Sequence, residues 1–154
     1  MNFLIWNSRG IGALSFPALI RELKSNYRLD FLAVLETRCS SDVSQSRVRQ
    51  LGFPNMELID CEGYSGGIWC FWEHSITSVS VIERHHQFTH LQVTGSASCT
   101  WMLTVVYASP TSIPRWALWD NLSHLAPSIR GPWLLGGDFN GTLLFCERRS
   151  FATF

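Results

Sequence analysis

The segment from Asp30 to Glu36 most constrains the fold, because between its two acidic ends it is an unbroken apolar run. A strand with one face in water alternates apolar and polar residues, whereas an unbroken run is typical of a strand covered on both faces. It follows a short apolar run, Phe3 to Trp6, and a segment with apolar residues at helical spacing, Ser15 to Asn26. The order strand, helix, strand predicts a layered α/β protein.

The remainder of the chain carries both kinds of pattern. Two further helices are predicted, from Asp42 to Leu51 and from Pro114 to Leu125. Short β-branched or aromatic runs between turn residues predict strands at Met56–Ile59, Gly67–Trp72, Ile76–Glu83, His90–Val93, Thr100–Tyr107 and Trp133–Leu135. The strands between these two helices are expected to form an antiparallel meander. The whole chain is then expected to build two mixed sheets flanked by helices.

Composition narrows the class of protein. With 154 residues, 46% of them hydrophobic, the chain has enough apolar content for one globular domain. The 12 basic and 12 acidic residues balance, so there is no overall basic field and any contact with a polyanion must be local. The five cysteines form no CxxC pair, which argues against a disulfide framework or a zinc knuckle and favours a reducing compartment.

The N-terminal segment from Met1 to Trp6 lacks a basic stretch, and its apolar run is too short for a signal peptide or a membrane span. We therefore expect an intracellular protein, in the nucleus or the cytoplasm, with no membrane partner. The sequence predicts no particular oligomeric state.

Polar side chains follow four of the predicted strands, and these are the candidate site residues. They are Asn7, Glu36, Tyr107, and Asp138 together with Asn140. Ligand sites in layered α/β folds gather where strand ends meet, and oxygen ligands of this kind suit a hard divalent cation. Taken singly, each has a structural explanation: Asn7 as a turn residue, Glu36 as a helix cap, and Tyr107 as a core aromatic.

The last of these strand ends has the most distinctive sequence, Trp-Leu-Leu-Gly-Gly-Asp-Phe-Asn from Trp133 to Asn140. Residues two apart in an extended segment point to the same side, so Asp138 and Asn140 are expected to converge while Phe139 packs away. The two glycines before Asp138 allow a ligand or another backbone to approach closely.

Five short motifs in this chain resemble, in order, those of the endonuclease/exonuclease/phosphatase superfamily. They are Trp6–Gly10, Leu35–Thr37, Gly66–Trp69, Val106–Pro110 and Gly136–Asn140. The similarity is greatest to the apurinic-like endonuclease domain of plant non-LTR retrotransposons. It implies a four-layered α/β sandwich that hydrolyses phosphodiester bonds with Mg²⁺, or with Mn²⁺ as an alternative metal, and that takes DNA as its partner.

The resemblance also implies a role for each candidate residue. Glu36 is expected to bind the metal, with Asn7 in or beside the metal shell. Asp138 is expected to align or deprotonate the attacking water, Asn140 to orient the phosphate, and Tyr107 to face it with its phenol. A carboxylate that activates water beside a polarised phosphoryl group is coherent chemistry for phosphodiester hydrolysis.

The chain departs from the family pattern in two places. Arg9 stands where other branches carry an acidic residue; it cannot bind metal and is expected to contact a phosphate or a neighbouring carboxylate. The family's closing Ser-Asp-His motif does not follow Asn140. We therefore expect residues 1–154 to form a partial domain, incomplete at the C-terminus, with uncovered sheet edges and weak or no activity. The alternatives are a non-catalytic remnant of a retrotransposon and, less favoured, a small-molecule phosphoesterase.

Overall fold

A computed structural model describes residues 1–39, 48–62, 65–95 and 99–142. The strands are β1 (Phe3–Asn7), β2 (Phe31–Leu35), β3 (Asn55–Glu62), β4 (Ser65–Trp72), β5 (Ile76–His85), β6 (Phe88–Gly95), β7 (Thr100–Tyr107) and β8 (Trp133–Asp138). The helices are α1 (Phe16–Tyr27) and α2 (Ser112–Leu125), and a short 3₁₀ turn, Ala126–Ser128, follows α2.

The strands form two four-stranded mixed sheets. The first has the order β1-β2-β4-β3, in which β1 and β2 are parallel and the β3–β4 hairpin adds antiparallel to β2. The second has the order β5-β6-β7-β8, an antiparallel meander to which β8 adds parallel. The predicted run of antiparallel strands is thus divided between two sheets at the turn that joins β4 to β5.

Three apolar clusters hold four layers together in the order α1, first sheet, second sheet, α2. Strand β2 shows why, because alternate side chains of its apolar run enter different clusters. Leu32 and Val34 pack with α1, and Ala33 and Leu35 pack between the two sheets. A third cluster lies between the second sheet and α2. The α/β sandwich expected from the sequence is confirmed, and so is the burial of β2 on both faces.

The two described helices differ slightly from their predicted bounds. Helix α1 begins one residue after Ser15, with Pro17 in its first turn, and ends at Tyr27, which is followed by Arg28 in the left-handed conformation. Helix α2 begins two residues before Pro114. The helix predicted from Asp42 to Leu51 lies largely outside the described residues. In the part of it that the structure does describe, residues 48 and 49 are helical. No helix in the described part has both the length and the apolar character to cross a bilayer.

Among the described residues, β1 and β8 are edge strands of their respective sheets. Every residue of β1 is half-buried, whereas every residue of the neighbouring β2 is buried. An apolar groove of about 760 Å³ runs beside β1 and α1, and Leu134 on β8 is 47% exposed. These two edge strands therefore keep part of their apolar surface accessible to solvent.

Candidate active site

The carboxyl ends of four strands meet at one end of the sandwich. Because β1 and β2 are parallel, Asn7 pairs with the residue just before Glu36. Because β7 and β8 are parallel, Tyr107 pairs with Asp138. The Asn7 side-chain amide donates to Asp138 Oδ2 at 2.6 Å, and this hydrogen bond joins the first sheet to the second. The structure therefore brings together the strand ends that the sequence singled out.

Glu36 lies just beyond the end of β2 and is buried, with 8% of its surface exposed. Its backbone is in the left-handed region, at a φ of 55°, which only a few per cent of non-glycine residues adopt. Arg38 is also left-handed, and its guanidinium forms an ion pair with the Glu36 carboxylate. Half of the Arg38 side chain is exposed, so the pair lies at the border between the site and solvent.

The two glycines that open β4 explain how Glu36 reaches this position. A Cβ on Gly67 would lie 2.1 Å from Oγ1 of Thr37, the buried residue after Glu36. The carbonyl of Gly66 accepts a hydrogen bond from the Arg38 backbone at 3.3 Å. The Gly-Gly-Ile-Trp motif is therefore needed so that β4 can pass close to the turn that carries Glu36.

Both carboxylates of the site affect the pKa of the Tyr107 phenol. Burial raises the pKa of its phenol, and the negative charges of Glu36 and Asp138 raise it further. A hydrogen bond with Glu36 acts in the same direction, and the positive charge of Arg38 partly opposes the shift. The Tyr107 hydroxyl is consequently held protonated, as a hydrogen-bond donor at neutral pH.

Asn140 lies beside Asp138, but the extended backbone expected from the sequence is not what brings it there. Asp138 is the last residue of β8, and Asn140 has left the strand with a φ of 46°. Its backbone N–H donates to Asp138 Oδ1 at 2.9 Å, and its side-chain amide donates to the Ala108 carbonyl at 2.7 Å. The spacing rule for an extended segment fails because the turn begins one residue too early. Phe139 stacks in parallel on Trp119, and both of these residues border the same cleft as Asp138 and Asn140.

The glycines of β8 admit a second backbone, as the sequence suggested. A Cβ on Gly137 would lie 1.9 Å from the Val106 carbonyl oxygen, and one on Gly136 would lie 2.8 Å from a methyl of Ile5. The first contact lets β8 lie against β7, and the second lets it approach β1. Together these two close contacts determine where β8 places Asp138 relative to Asn7.

Arg9 lies at the exposed rim of the site. Its backbone N–H donates to Asn7 Oδ1 at 3.0 Å, which fixes the orientation of the Asn7 side chain and leaves the Asn7 amide to face Asp138. Like Glu36, Arg9 has a left-handed backbone, with a φ of 52°. Its expected contact with a phosphate stays a prediction.

Two buttressing residues were not anticipated from the sequence. Arg115 on α2 donates to the carbonyls of Ser109 and Asn140, and so ties together the loops that follow β7 and β8. Gln87 is 2% exposed; its backbone carbonyl accepts from the Tyr107 N–H at 2.8 Å, and its side chain accepts from the Ser109 N–H. The only sequence signal for this role of Gln87 is its position in the turn between β5 and β6, next to the apolar Phe88. Nothing in the local pattern marks Arg115.

Two cavities flank the strand ends. A cleft of about 1010 Å³ is bordered by Asp138, Asn140, Arg115 and Trp119. A smaller pocket of about 230 Å³ is bordered by Tyr107 and the β5–β6 turn. Pro110 contributes to the walls of both. The polar strand ends thus face solvent-accessible space on more than one side.

The donor set fits a hydrated hard cation better than a fully protein-bound one. Within the described ranges, no three His, Cys, Asp or Glu side chains are grouped so that they could hold a metal ion. Mg²⁺ keeps several of its waters and typically takes one or two carboxylates. Glu36, with Asn7 and Asp138 beside it, offers this smaller set of oxygens, all of the chemical type that Mg²⁺ prefers.

The two mixed sheets pack face to face, and a helix covers the outer side of each. With polar groups from both sheets at one end, this arrangement is an α/β sandwich of the phosphoesterase type. The Endonuclease/Exonuclease/phosphatase family model matches residues 4–149, and the chain belongs to this family. No curated protein matches the sequence significantly.

Solved structures share the fold at low sequence identity. The endonuclease domain of TRAS1, a telomere-specific non-LTR retrotransposon, has a TM-score of 0.67 at 14% identity, over 92% of this chain and 61% of that one. The 3′ phosphatase NExo from Neisseria, bound to a product DNA hairpin, has a TM-score of 0.61 at 15% identity, over 91% and 58%. The mannosyl-6-phosphatase of Bacteroides thetaiotaomicron has a TM-score of 0.60 at 10% identity, over 90% and 64%. The chain therefore spans about three fifths of the length of these proteins.

Proposed function

We propose that this domain hydrolyses phosphodiester bonds in DNA with Mg²⁺ as its metal. The observation that carries the proposal is the hydrogen bond between Asn7 and Asp138, because it joins strand ends of two different sheets into one cluster. The same cluster contains the buried Glu36 carboxylate and the protonated phenol of Tyr107. Two carboxylates, an amide and a hydroxyl donor can together bind a metal ion, activate a water and bind the phosphate in hydrolysis of a phosphodiester.

Each residue has a distinct part in the proposed reaction. Glu36 would hold Mg²⁺, which when bound polarises a phosphoryl oxygen and offsets the negative charge that develops there. Asp138 would accept the proton of the attacking water, and the Asn7 amide keeps the Asp138 carboxylate turned towards the first sheet. Tyr107 would donate to a phosphate oxygen. Asn140 would contact the phosphate, and Arg9 at the rim would pair with a phosphate further along the strand.

Two observations favour a nucleic-acid substrate over a small phosphoester. The cleft beside Asp138 and Asn140 is large and open, which suits a polymer that passes across the site. One of the similar structures is named as an endonuclease domain, and another is a 3′ phosphatase bound to a product DNA hairpin. A phosphomonoesterase is the second candidate, because a mannosyl-6-phosphatase shares the fold to a comparable degree.

We expect a polypeptide of residues 1–154 to turn over slowly when it is assayed by itself. These residues contain no Ser-Asp-His motif after Asn140, and a missing group that stabilises a transition state typically costs about a hundredfold or more in rate. A non-catalytic domain that retains metal binding is therefore the alternative that the experiment must separate from a weak nuclease.

The test is nicking of supercoiled plasmid by excess protein, with Mg²⁺ or with EDTA. We expect slow nicking that requires Mg²⁺ and that falls by about a hundredfold or more in Glu36→Gln and in Asp138→Asn. Glu22→Gln, an exposed position on α1, is the matched control and should nick like the wild type. Nicking that persists with EDTA or in Glu36→Gln would exclude the proposed site.

Calorimetric titration with Mg²⁺ separates the alternatives. A wild-type protein that binds Mg²⁺ but nicks no plasmid under any condition is the non-catalytic domain. A wild-type protein that hydrolyses a sugar phosphate and not plasmid is the phosphomonoesterase. In either case Glu36→Gln should bind Mg²⁺ at least tenfold more weakly, because one of the few protein ligands loses its charge.

A further inference from the structure

The pocket of about 230 Å³ beside Tyr107 is not used by the proposed reaction, and its chemistry indicates a ligand of its own. Its walls come from the β3–β4 hairpin, the β5–β6 turn and the loop after β7. The volume is below the range for drug-sized ligands, so the pocket suits a single planar ring system with its immediate substituents.

The side chain at its rim, His86, is the outermost ring of an aromatic column. The ring centroids of His86 and His85 lie 4.1 Å apart, and His85 stacks at 4.9 Å on Phe88, which is fully buried. The Gln87 N–H donates to His85 Nδ1 at 3.2 Å, and the Asn121 amide lies 3.4 Å from its Nε2. Because the inner rings are fixed, the exposed His86 ring has a firm support on one side.

The remaining walls are rigid and largely uncharged. Gln87 is locked by hydrogen bonds to the Pro114 carbonyl and from the Ser109 N–H, at 2.9 and 2.7 Å. Pro110 and Pro114 add two apolar rings. No Lys or Arg is present among the described residues that line the pocket, whereas the carboxylate of Asp60 is. A phosphate is therefore a poor ligand here, and a neutral heterocycle with hydrogen-bonding edges is a good one.

We propose that this pocket receives the base of a nucleotide that adjoins the phosphodiester bound at Glu36 and Asp138, with the base stacked on His86. The inference rests on the proposed function. Tyr107 supplies the connection, because it lines the pocket and pairs in register with Asp138 between β7 and β8. A base that enters must leave the helical stack, so single-stranded or unpaired DNA is favoured over a continuous duplex.

The test measures binding of fluorescein-labelled single-stranded oligonucleotides by anisotropy, with Ca²⁺ in place of Mg²⁺ so that the DNA stays intact. One oligonucleotide carries bases throughout, and the other has abasic sugars at its central positions. We expect wild type to prefer the first by about 5- to 150-fold, the range for one stacked base. His86→Ala should lose that preference, and His86→Phe should keep it, because a flat ring is all that stacking needs.

His74→Ala is the matched control, since His74 is an exposed turn residue at the β4–β5 connection. It should behave as wild type. If wild type binds both oligonucleotides equally, the base pocket is refuted while the proposed function stands. If His86→Phe fails like His86→Ala, stacking is refuted. Binding of neither oligonucleotide by the wild type contradicts both the pocket and the DNA substrate.

Discussion

Gly137 determines where Asp138 lies, because it allows β8 to press directly on the backbone of β7. Its φ of 148° is one that residues with a Cβ rarely adopt, and it pairs in register with Val106. A Cβ would meet the carbonyl oxygen, carbonyl carbon and amide nitrogen of Val106 within 2.8 Å. These are backbone atoms, so no side chain can rotate away to make room.

Gly137→Ala should therefore lower the free energy of unfolding by about 2 kcal/mol or more, through backbone strain and overpacking together. For a chain of this size that corresponds to a melting temperature lower by roughly 4–8 °C, measured by circular dichroism. Gly12→Ala is the control, because no atom lies within 4 Å of its added Cβ. An unchanged melting temperature in Gly137→Ala would show that β7 and β8 are not packed as described.

The residue types of the site followed from the sequence, and their conformations did not. Asn7, Glu36, Tyr107 and Asp138 were found as polar groups at the ends of apolar runs, and those runs are the strands observed. Nothing in the local sequence predicts the left-handed backbone at Glu36 and Arg38, because that conformation is typical of Asn and uncommon for Glu or Arg. The ion pair of Arg38 with Glu36 was missed for this reason.

At the level of elements, one threonine joins three strands of the second sheet. The Trp133 indole on β8 donates to Thr104 Oγ1 on β7 at 2.8 Å. The same oxygen lies 2.7 Å from His90 Nδ1 on β6. His90 and Thr104 are buried, and burial lowers the pKa of His90, an effect that Glu83 partly opposes. Because burial lowers the pKa of His90, the folded chain favours the neutral imidazole at this position.

This network predicts a loss of stability in acid. The pKa of His90 is lower in the folded chain than its ordinary value of 6.5, so the unfolded chain binds the proton more readily. The contribution of neutral His90 to the free energy of unfolding is therefore fully present above pH 6.5. It is lost progressively as the pH falls from 6.5 towards the pKa of His90 in the folded chain. Thermal melts between about pH 8 and about pH 5 should show the decline in wild type and a shallower one in His90→Gln.

The exposed His74 provides the control for this pH effect. His74→Gln should melt with the wild-type pH dependence, because that side chain is outside the Thr104 network. Equal slopes for wild type and His90→Gln would mean that carboxylates elsewhere, and not His90, govern acid unfolding.

Which elements could be predicted depended on how local their signal was. The unbroken run of β2 correctly indicated burial on both faces. The spacing of apolar residues in α2 correctly indicated a helix. Its leucines Leu118, Leu122 and Leu125 are buried, whereas its Trp116, which belongs to the same pattern, is 71% exposed. Periodicity identifies a face, and the sheet against which that face packs is decided by contacts distant in sequence. The division of the antiparallel strands between two sheets is non-local in the same way.

At the scale of the whole molecule, the site exists only because two sheets meet. Asn7 and Glu36 belong to the first sheet, and Tyr107 and Asp138 to the second. The order of predicted strands and helices indicated two sheets flanked by helices, and the five motifs implied a four-layered sandwich, but spacing along the chain does not say which strand ends meet across the two sheets. The edge strands β1 and β8 lie on the same side of this meeting point, where Gly136 faces Ile5.

The groove beside β1 makes a prediction about association. It is lined by Leu4, Leu19, Leu23 and Tyr27, and Leu19 is 40% exposed. Apolar surface next to an edge strand favours pairing with another chain, both through burial and through unpaired backbone groups. We expect the sedimentation coefficient of the wild-type chain to rise with protein concentration, and Leu19→Glu to reduce that rise by placing a charge in the groove.

Leu14→Glu is the matched control, because Leu14 is 90% exposed and does not line the groove. Association that is equally reduced by both substitutions would indicate a general effect of net charge, whereas a reduction confined to Leu19→Glu assigns the contact to the β1 edge.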